Sequence, residues 1–259
     1  MTTDGIARDG LKTGDIAIVT GGGGGFGRAF CLRLSTMGAR IAIWDIDEKE
    51  GAETLRQVTE KGGDAIFFHV DLSDAASIAS ASRKTLDAMG VPYCIINNAS
   101  VFPRGEVIDL SLAQWELTLK VNITAPFLIA KTFGPQMIEQ GRGVVINLAS
   151  GRAIEGAAKG ANYACTKAAI LSLTKSLALE WARHGIRVNA IIPGQSLTAM
   201  PLVATTEAAM HAQARTRNPM GRIGYPQDVA GLAAYLVSAD AAYMTGQGIA
   251  INGGSVMIP

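Results

Sequence analysis

Histidine and cysteine, the side chains that build most transition-metal sites, occur only three times each in this 259-residue chain. His69, His184 and His211 are scattered, with no carboxylate or thiol grouping, and Cys31, Cys94 and Cys165 lack metal-ligand spacing. No metal centre is expected. Each cysteine stands in an apolar context, so buried, reduced thiols and a reducing compartment, the cytoplasm, are expected. Net charge is equally thin. The 23 basic and 22 acidic residues leave +1, and the nearest thing to a basic cluster is Arg215-Thr216-Arg217. Such a chain offers little to nucleic acid or to an anionic membrane surface. No apolar run approaches the roughly 18 residues of a spanning helix. Residues 1–15 are polar, without the apolar stretch of a signal peptide.

What is abundant is apolar residues, at 48 %, and glycine, at 30 residues. Short apolar runs alternate with amphipathic segments along the whole chain. The runs are Ile16–Val19 ending at Thr20, Arg40–Trp44 ending at Asp45, Ala65–Val70, Tyr93–Ile96, Val144–Leu148, Ile186–Ile191 and Gly248–Ile251. Helix patterns cover Arg28 to Met37, Glu48 to Glu60, Ser73 to Met89, one long stretch from Leu110 to Gln140 containing Pro126, Tyr163 to His184, and Pro226 to Val237. Short continuous apolar runs read as strands buried on both faces, and strands alternating with helices read as a parallel sheet covered on both sides. The expectation is one α/β domain over residues 1–259, doubly wound around a mostly seven-stranded parallel sheet, with a tail at 1–13. Periodicity weakens over residues 195–224, which read as a mobile substrate loop or lid.

The first strand runs into Gly21-Gly22-Gly23-Gly24-Gly25-Phe26-Gly27, and a helix pattern follows. Glycines permit a tight turn and let backbone N–H groups approach a pyrophosphate, while the helix N-terminus adds partial positive charge. A glycine run alone describes a flexible loop equally well. Its place between strand and helix is what points to a dinucleotide. Asp45 ends the second strand about 20 residues further on, where a carboxylate accepts hydrogen bonds from a ribose 2′-hydroxyl. It would repel a 2′-phosphate, and no Arg or Lys lies inside the turn to offset it, so NAD is expected over NADP. The competing role for Asp45 is to cap the next helix, a task Asp47 can perform instead.

A second constellation spans Ser150 to Lys167. Tyr163 and Lys167 share one helix face, about 5–6 Å apart at Cβ, and Ser150 ends the fifth strand. Hydroxyl, phenol and ammonium can therefore meet at one edge of the sheet. Tyrosine titrates near ~10, and bringing it to about 7 takes roughly 4 kcal/mol of preference for the phenolate. One positive charge at about 4 Å and an effective dielectric of about 20 supplies that much. Lys167 is the candidate charge, and an oxidised nicotinamide would add another. A bare Tyr-x-x-x-Lys is common by chance, so the pair gains meaning only from the rest of the chain.

With these stretches in order, the sequence resembles the short-chain dehydrogenase/reductase family over almost its whole length. Thr20-Gly21, three residues, then Gly25-Phe26-Gly27 is similar to the family's cofactor turn. Asp71-Leu72 is similar to its adenine-contacting pair, and Asn97-Asn98-Ala99 to its strand-four motif. Asn122, Ser150, Tyr163 and Lys167 match its catalytic tetrad, and Pro193-Gly194 with Thr198 the loop that holds the nicotinamide carboxamide. Thr245-Gly246-Gln247 and Asn252-Gly253-Gly254 resemble its C-terminal signature. The resemblance implies a Rossmann-type fold and an NAD-preferring oxidoreductase that interconverts a secondary alcohol, polyol or sugar hydroxyl and the ketone by hydride transfer. It implies Tyr163 as acid/base, Ser150 stabilising charge on the reacting oxygen, Lys167 lowering the Tyr163 pKa and binding the nicotinamide ribose, and Asn122 holding a proton-relaying water. It also implies a homotetramer, with Val256–Pro259 at an interface.

Ser100 departs from the pattern, which usually has Gly there. Its hydroxyl is expected to crowd or hydrogen-bond the nicotinamide side. The substrate wall is expected from residues 100–104, Arg152, Ile154, Glu155 and residues 197–210. Arg152 either reads an anionic or hydroxylated substrate or pairs with Glu155. Two other functions compete. A 3-oxoacyl-carrier-protein reductase is opposed by Asp45 and the low net charge. A non-catalytic NAD-binding regulator would have no need of Ser150, Tyr163 and Lys167.

Overall fold

The computed structural model describes residues 9–198 and 205–257. Seven strands form one sheet: β1 (Ile16–Thr20), β2 (Arg40–Asp45), β3 (Ala65–His69), β4 (Cys94–Asn97), β5 (Gly143–Leu148), β6 (Ile186–Pro193) and β7 (Gly248–Ile251). Their order is β3-β2-β1-β4-β5-β6-β7, and every neighbouring pair is parallel. β1 shows why both faces must be covered. Ala17 and Val19 enter one apolar cluster, Ile16 and Ile18 the opposite one, and a strand buried on both sides reads as an unbroken apolar run.

Helices α1 (Gly25–Ser35), α2 (Glu48–Glu60) and α9 (Pro226–Val237) supply Phe30, Leu34, Val58, Val229 and Leu236 to the first cluster. Helices α3 (Ala75–Met89), α5 (Ala125–Gln140) and α7 (Ala161–Trp181) supply Ile78, Ile129, Phe133, Leu177 and Trp181 to the second. This is the expected doubly wound, Rossmann-type architecture in one domain. The order reverses between β1 and β4, which opens a crevice at their carboxyl ends, the place where such sheets bind ligands. Helix starts follow local chemistry. Asp47 caps α2 through Glu50 N, Asp74 caps α3 through Ala76 N and Ser77 N, and Ser111 shares a capping box with Gln114 at α4 (Leu112–Leu119).

Several expectations need correction. The long helix ending at Gln140 is interrupted, because a π-helical turn over Lys120–Thr124 separates α4 from α5. An α-helical ladder would require Pro126 to donate to the carbonyl of Asn122, and proline has no N–H. A wider turn is how the chain passes that gap. The weakly periodic stretch is not a plain loop. It contains α8 (Glu207–Arg217), capped by Thr206, whose Met210 and Ala214 pack with Ile223 and Leu197. Met200, Pro201 and Leu202 of the expected substrate wall lie outside the described residues, as do Ile258 and Pro259. A further short helix, α6 (Arg152–Glu155), precedes α7. Cys165 is exposed, whereas Cys31 and Cys94 are buried. Its neighbours Ala164, Thr166 and Lys167 take the buried face of α7, so the residue between them turns outward. In the expected tail, Leu11 N donates to the Val237 carbonyl and Asp9 pairs with Arg142, which holds residues 9–11 on the body.

Candidate active site

The glycine turn lies at the carboxyl end of β1 and is held from below. The Thr20 hydroxyl accepts the N–H groups of Asn98 (3.0 Å) and Ala99 (3.1 Å), and Asn98 Nδ2 donates to the carbonyls of Thr20 and Gly21. Strands β1 and β4 are thereby clasped across the switch point. Asn98, expected to bind cofactor, spends its amide nitrogen on the turn itself. A Cβ on Gly21 would lie 2.9 Å from Ala99 Cα, and one on Gly27 only 1.8 Å from the Gly21 carbonyl oxygen. These glycines serve close backbone packing. Gly24 differs, since nothing of the protein lies within 4 Å of where its Cβ would be. Gly24 is also the N-cap of α1, with no side-chain cap and no acidic residue in the first turn. Helix-end donors beneath open space fit a pyrophosphate. Thr198 reaches over the same turn, its Cβ 3.4 Å from the Cβ position of Gly25. Phe26 turns inward, packed near Phe30.

Asp45 Oδ2 accepts from Gly23 N at 2.7 Å and Oδ1 from Asp47 N at 3.0 Å. Capping of α2 belongs to Asp47, so Asp45 keeps its carboxylate against the turn. Arg28, the cation nearest the turn, is committed to Glu50 (2.6 Å), to Thr54 and to the Gly23 carbonyl. Further along the same edge, Asp71 Oδ1 accepts from the backbone and hydroxyl of Ser73, while Leu72 packs on the core. At the opposite end β6 delivers Pro193 and Gly194, and Gly194 N donates to the Ile251 carbonyl. These residues all lie at the carboxyl ends of the strands, where doubly wound sheets bind ligands. A cavity of about 240 Å³ opens beside Gly194, lined by Ser196, Asn218, Met220 and Asn252; Tyr163 does not line it.

Ser150 follows β5, and Tyr163 and Lys167 lie on the first turns of α7. Lys167 is buried, donates to the Leu148 carbonyl at 2.7 Å and lies 5.5 Å from the Tyr163 ring centroid. Burial pushes its pKa down to about 7. Burial also raises the Tyr163 phenol; the Ser150 hydrogen bond and the Arg152 and Arg104 charges pull downward without overcoming it. The expectation that Lys167 lowers this pKa is therefore not met by the protein alone. The ammonium faces the tyrosine ring, and burial disfavours its own charge.

Asn122 sits in the π-turn and brackets the loop after β4. Its Oδ1 accepts from Val101 N (2.9 Å), and its Nδ2 donates to the Val101 carbonyl and to Thr166 Oγ1. Thr166 in turn donates to the Tyr163 carbonyl. The side chain is thus a brace between loop and α7. Inside that loop the Ser100 hydroxyl is buried without a partner. Phe102 stacks on Tyr163 with centroids 4.4 Å apart and planes 18° apart. Sequence reasoning set Thr20 in the cofactor turn and Phe102 in the substrate wall, but gave neither the contact it makes here. For Thr20 the signal was a β-branched hydroxyl at the strand end before a glycine turn. The Phe102 stack had no signal, because its partner lies 61 positions away, at Tyr163. Arg152 pairs with Glu155 at 3.7 Å.

A dinucleotide rim joined to a Ser-Tyr-Lys cluster at the end of β5 defines a nucleotide-dependent oxidoreductase of the α/β class. The family model described as enoyl-(acyl carrier protein) reductase matches residues 22–256. The chain is 35 % identical to a 2,5-dichloro-2,5-cyclohexadiene-1,4-diol dehydrogenase of Sphingobium indicum, covering 93 % of this chain and 96 % of the relative. It is 33 % identical to a 2-dehydro-3-deoxy-D-gluconate 5-dehydrogenase of Dickeya dadantii, covering 93 % and 95 %. A solved structure described as a putative NAD(P) dependent gluconate 5-dehydrogenase from Beutenbergia cavernae, with NADP bound at low occupancy, superposes with a TM-score of 0.89 at 32 % identity, covering 94 % and 97 %. The chain belongs to the short-chain dehydrogenase/reductase family. Members of this family use a nicotinamide cofactor. Among the described residues no helix is long and apolar enough to cross a membrane, and no three His, Cys, Asp or Glu side chains converge as metal ligands.

Proposed function

We propose that the protein is an NAD-dependent dehydrogenase acting on a secondary alcohol, polyol or sugar hydroxyl, with Tyr163 as the acid/base. The observation that carries this reading is the convergence of Ser150, Tyr163 and Lys167 at the carboxyl end of β5, on a rim whose far end holds Asp45. When bound, the oxidised nicotinamide supplies a hydride acceptor and a positive charge. Tyr163 as phenolate takes the hydroxyl proton while the carbinol C–H bond gives up its hydride; in ketone reduction the phenol returns the proton. Ser150 hydrogen-bonds the reacting oxygen as its charge changes. On this reading Lys167 binds the ribose hydroxyls, and Asn122, whose side chain braces Val101 and Thr166, holds the water of the proton path. Burial keeps the phenol protonated at neutral pH, so oxidation should accelerate as pH rises, whereas reduction begins from the protonated form.

Asp45 supports NAD, because its carboxylate is fixed against Gly23 and Arg28 is engaged by Glu50. The NADP in the Beutenbergia structure makes this the part most in need of testing. The same reading takes the protein to be a cytoplasmic homotetramer. Exposed Leu112, Leu117, Phe127 and Leu179 are apolar surface that assembly would cover, which sedimentation velocity can check. The main experiment is steady-state reduction of NAD and of NADP with a panel of ring alcohols, polyols and sugar acids. Wild type is compared with Tyr163→Phe and Asp45→Ser. NAD-linked rates that fall about 10²–10⁴-fold in Tyr163→Phe support the acid/base role. Equal rates in mutant and wild type remove it. NADP preference in the wild type would overturn the role of Asp45.

A further inference from the structure

We propose that the substrate of this site carries an anionic group, a carboxylate or a similar oxyanion, and that Arg104 is the residue that reads it. This deepens the dehydrogenase reading and rests on it. The loop over residues 101–105 is unusually well held for a surface connection. Asn122 brackets Val101 from both sides, Asn162 Nδ2 donates to the Pro103 carbonyl at 3.0 Å, and Gly105 N donates to the Lys159 carbonyl at 3.2 Å. Lys159 reaches that bond with a φ of 57°, the one left-handed non-glycine among the described residues. Such a conformation costs free energy and persists where the surroundings demand it. Gly160 leaves room for the Phe102 ring, which a Cβ there would meet at 2.7 Å.

The loop is thereby held where Phe102 stacks on Tyr163, and the Arg104 guanidinium lies over the Phe102 ring, Cζ 4.5 Å from its centroid. A cation so held is oriented without being neutralised. The other exposed cations nearby are compensated, Arg152 by Glu155 at 3.7 Å and Lys159 by Glu106 at 3.5 Å, and Lys167 is buried beneath Tyr163 on the Leu148 carbonyl. Among the described residues Arg104 makes neither an ion pair nor a hydrogen bond to the protein. Its planar fork of donors, one ring removed from the reacting phenol, is matched by a carboxylate, which takes two parallel N–H bonds. A neutral substrate would leave those donors to water.

The test uses matched pairs of secondary alcohols, each as a carboxylic acid and as its amide, including ring and short-chain members. Two readouts are taken: kcat/KM with NAD, and binding of each member to the enzyme with NADH by calorimetry. The wild type should favour the acid of at least one pair about tenfold or more, the range of a charge-assisted hydrogen bond. Arg104→Met should bring the acid-to-amide ratio close to one, and Arg104→Lys should restore part of it. Equal handling of acid and amide by the wild type overturns the assignment, and so does a preference that survives in Arg104→Met. Alcohols oxidised without regard to charge would leave the dehydrogenase reading standing and remove this one. Arg104-dependent binding of acids, with no oxidation under either cofactor, would do the reverse. Neither binding nor turnover with any pair overturns both.

Discussion

Replacing Lys167 by Met should make the isolated protein more stable near neutral pH, and the gain should shrink as pH rises. The Lys167 ammonium is buried, and one hydrogen bond, to the Leu148 carbonyl, is what the protein gives it. Burial alone lowers its pKa from 10.5 to about 7. Between those values the folded protein has released a proton that the unfolded chain retains. Unfolding then takes up a proton, so stability rises with pH. The contribution is fully present above pH 10.5 and is lost as pH falls through about 7. Inside the window the slope approaches about 1.4 kcal/mol per pH unit, so about 2–3 kcal/mol separates pH 7 from pH 9. Met keeps the unbranched stem and removes the titration. Urea unfolding of wild type and Lys167→Met across this range measures the gap between them, and groups common to both cancel in the difference. The gap should narrow by about 2–3 kcal/mol from neutral to alkaline pH. A constant gap would refute the reasoning, since it would mean that Lys167 has the same pKa folded and unfolded. Added NADH should flatten the dependence in wild type if ribose hydroxyls complete the donors of Lys167.

Three further outcomes are expected. Gly27→Ala and Gly24→Ala should separate fold from binding: the first places a Cβ 1.8 Å from the Gly21 carbonyl oxygen and should cost about 1–3 kcal/mol or more in urea, whereas the second meets no protein atom and should keep wild-type stability while weakening NAD binding in calorimetry. Thr20→Val removes the acceptor of two N–H groups and should cost roughly 2–4 kcal/mol of unfolding free energy, with Thr20→Ser close to wild type. Ser100→Ala deletes a buried hydroxyl that has no protein partner; thermal melting of the protein alone should be unchanged or slightly raised, and calorimetry with NADH should show affinity falling several-fold if the hydroxyl hydrogen-bonds the cofactor and rising if it crowds it.

The strands were legible in the sequence because burial on both faces leaves nothing to interrupt an apolar run; Ile16–Thr20 and Gly248–Ile251 needed no more than that. Helices were legible where an amphipathic stripe and a cap coincided, as at Asp47 and Glu48–Glu60. Helices without a side-chain cap, α1 and α7, were still legible from their apolar period alone, but one without a stripe was not. α8 buries only Met210 and Ala214, too few anchors to establish a period, so the segment passed for a loop. The break at Asn122 was written in Pro126, but its consequence lies four residues upstream, at a carbonyl deprived of its donor.

The site divides along the same physical line. The glycine turn, the strand-end Asp45 and the Tyr163–Lys167 pair depend on neighbours within one element or its immediate connection, and such relations have a fixed spacing in sequence. The Thr20–Asn98 clasp, the Asn122 brace and the Phe102–Tyr163 stack join segments whose approach is decided only by the sheet order, and no spacing rule reaches them. Electrostatics is the extreme case. Counting charges set a lysine beside a tyrosine and inferred a lowered phenol pKa. The structure adds burial, which acts on both groups at once, raising the phenol and lowering the ammonium. Each group is thereby driven towards its neutral form, and the charged pair that alcohol oxidation requires must be drawn out by what binds beside it. On this argument Tyr163 stays protonated and Lys167 only partly charged until a cationic, hydroxyl-rich ligand arrives, and the activating step belongs to binding as much as to the protein.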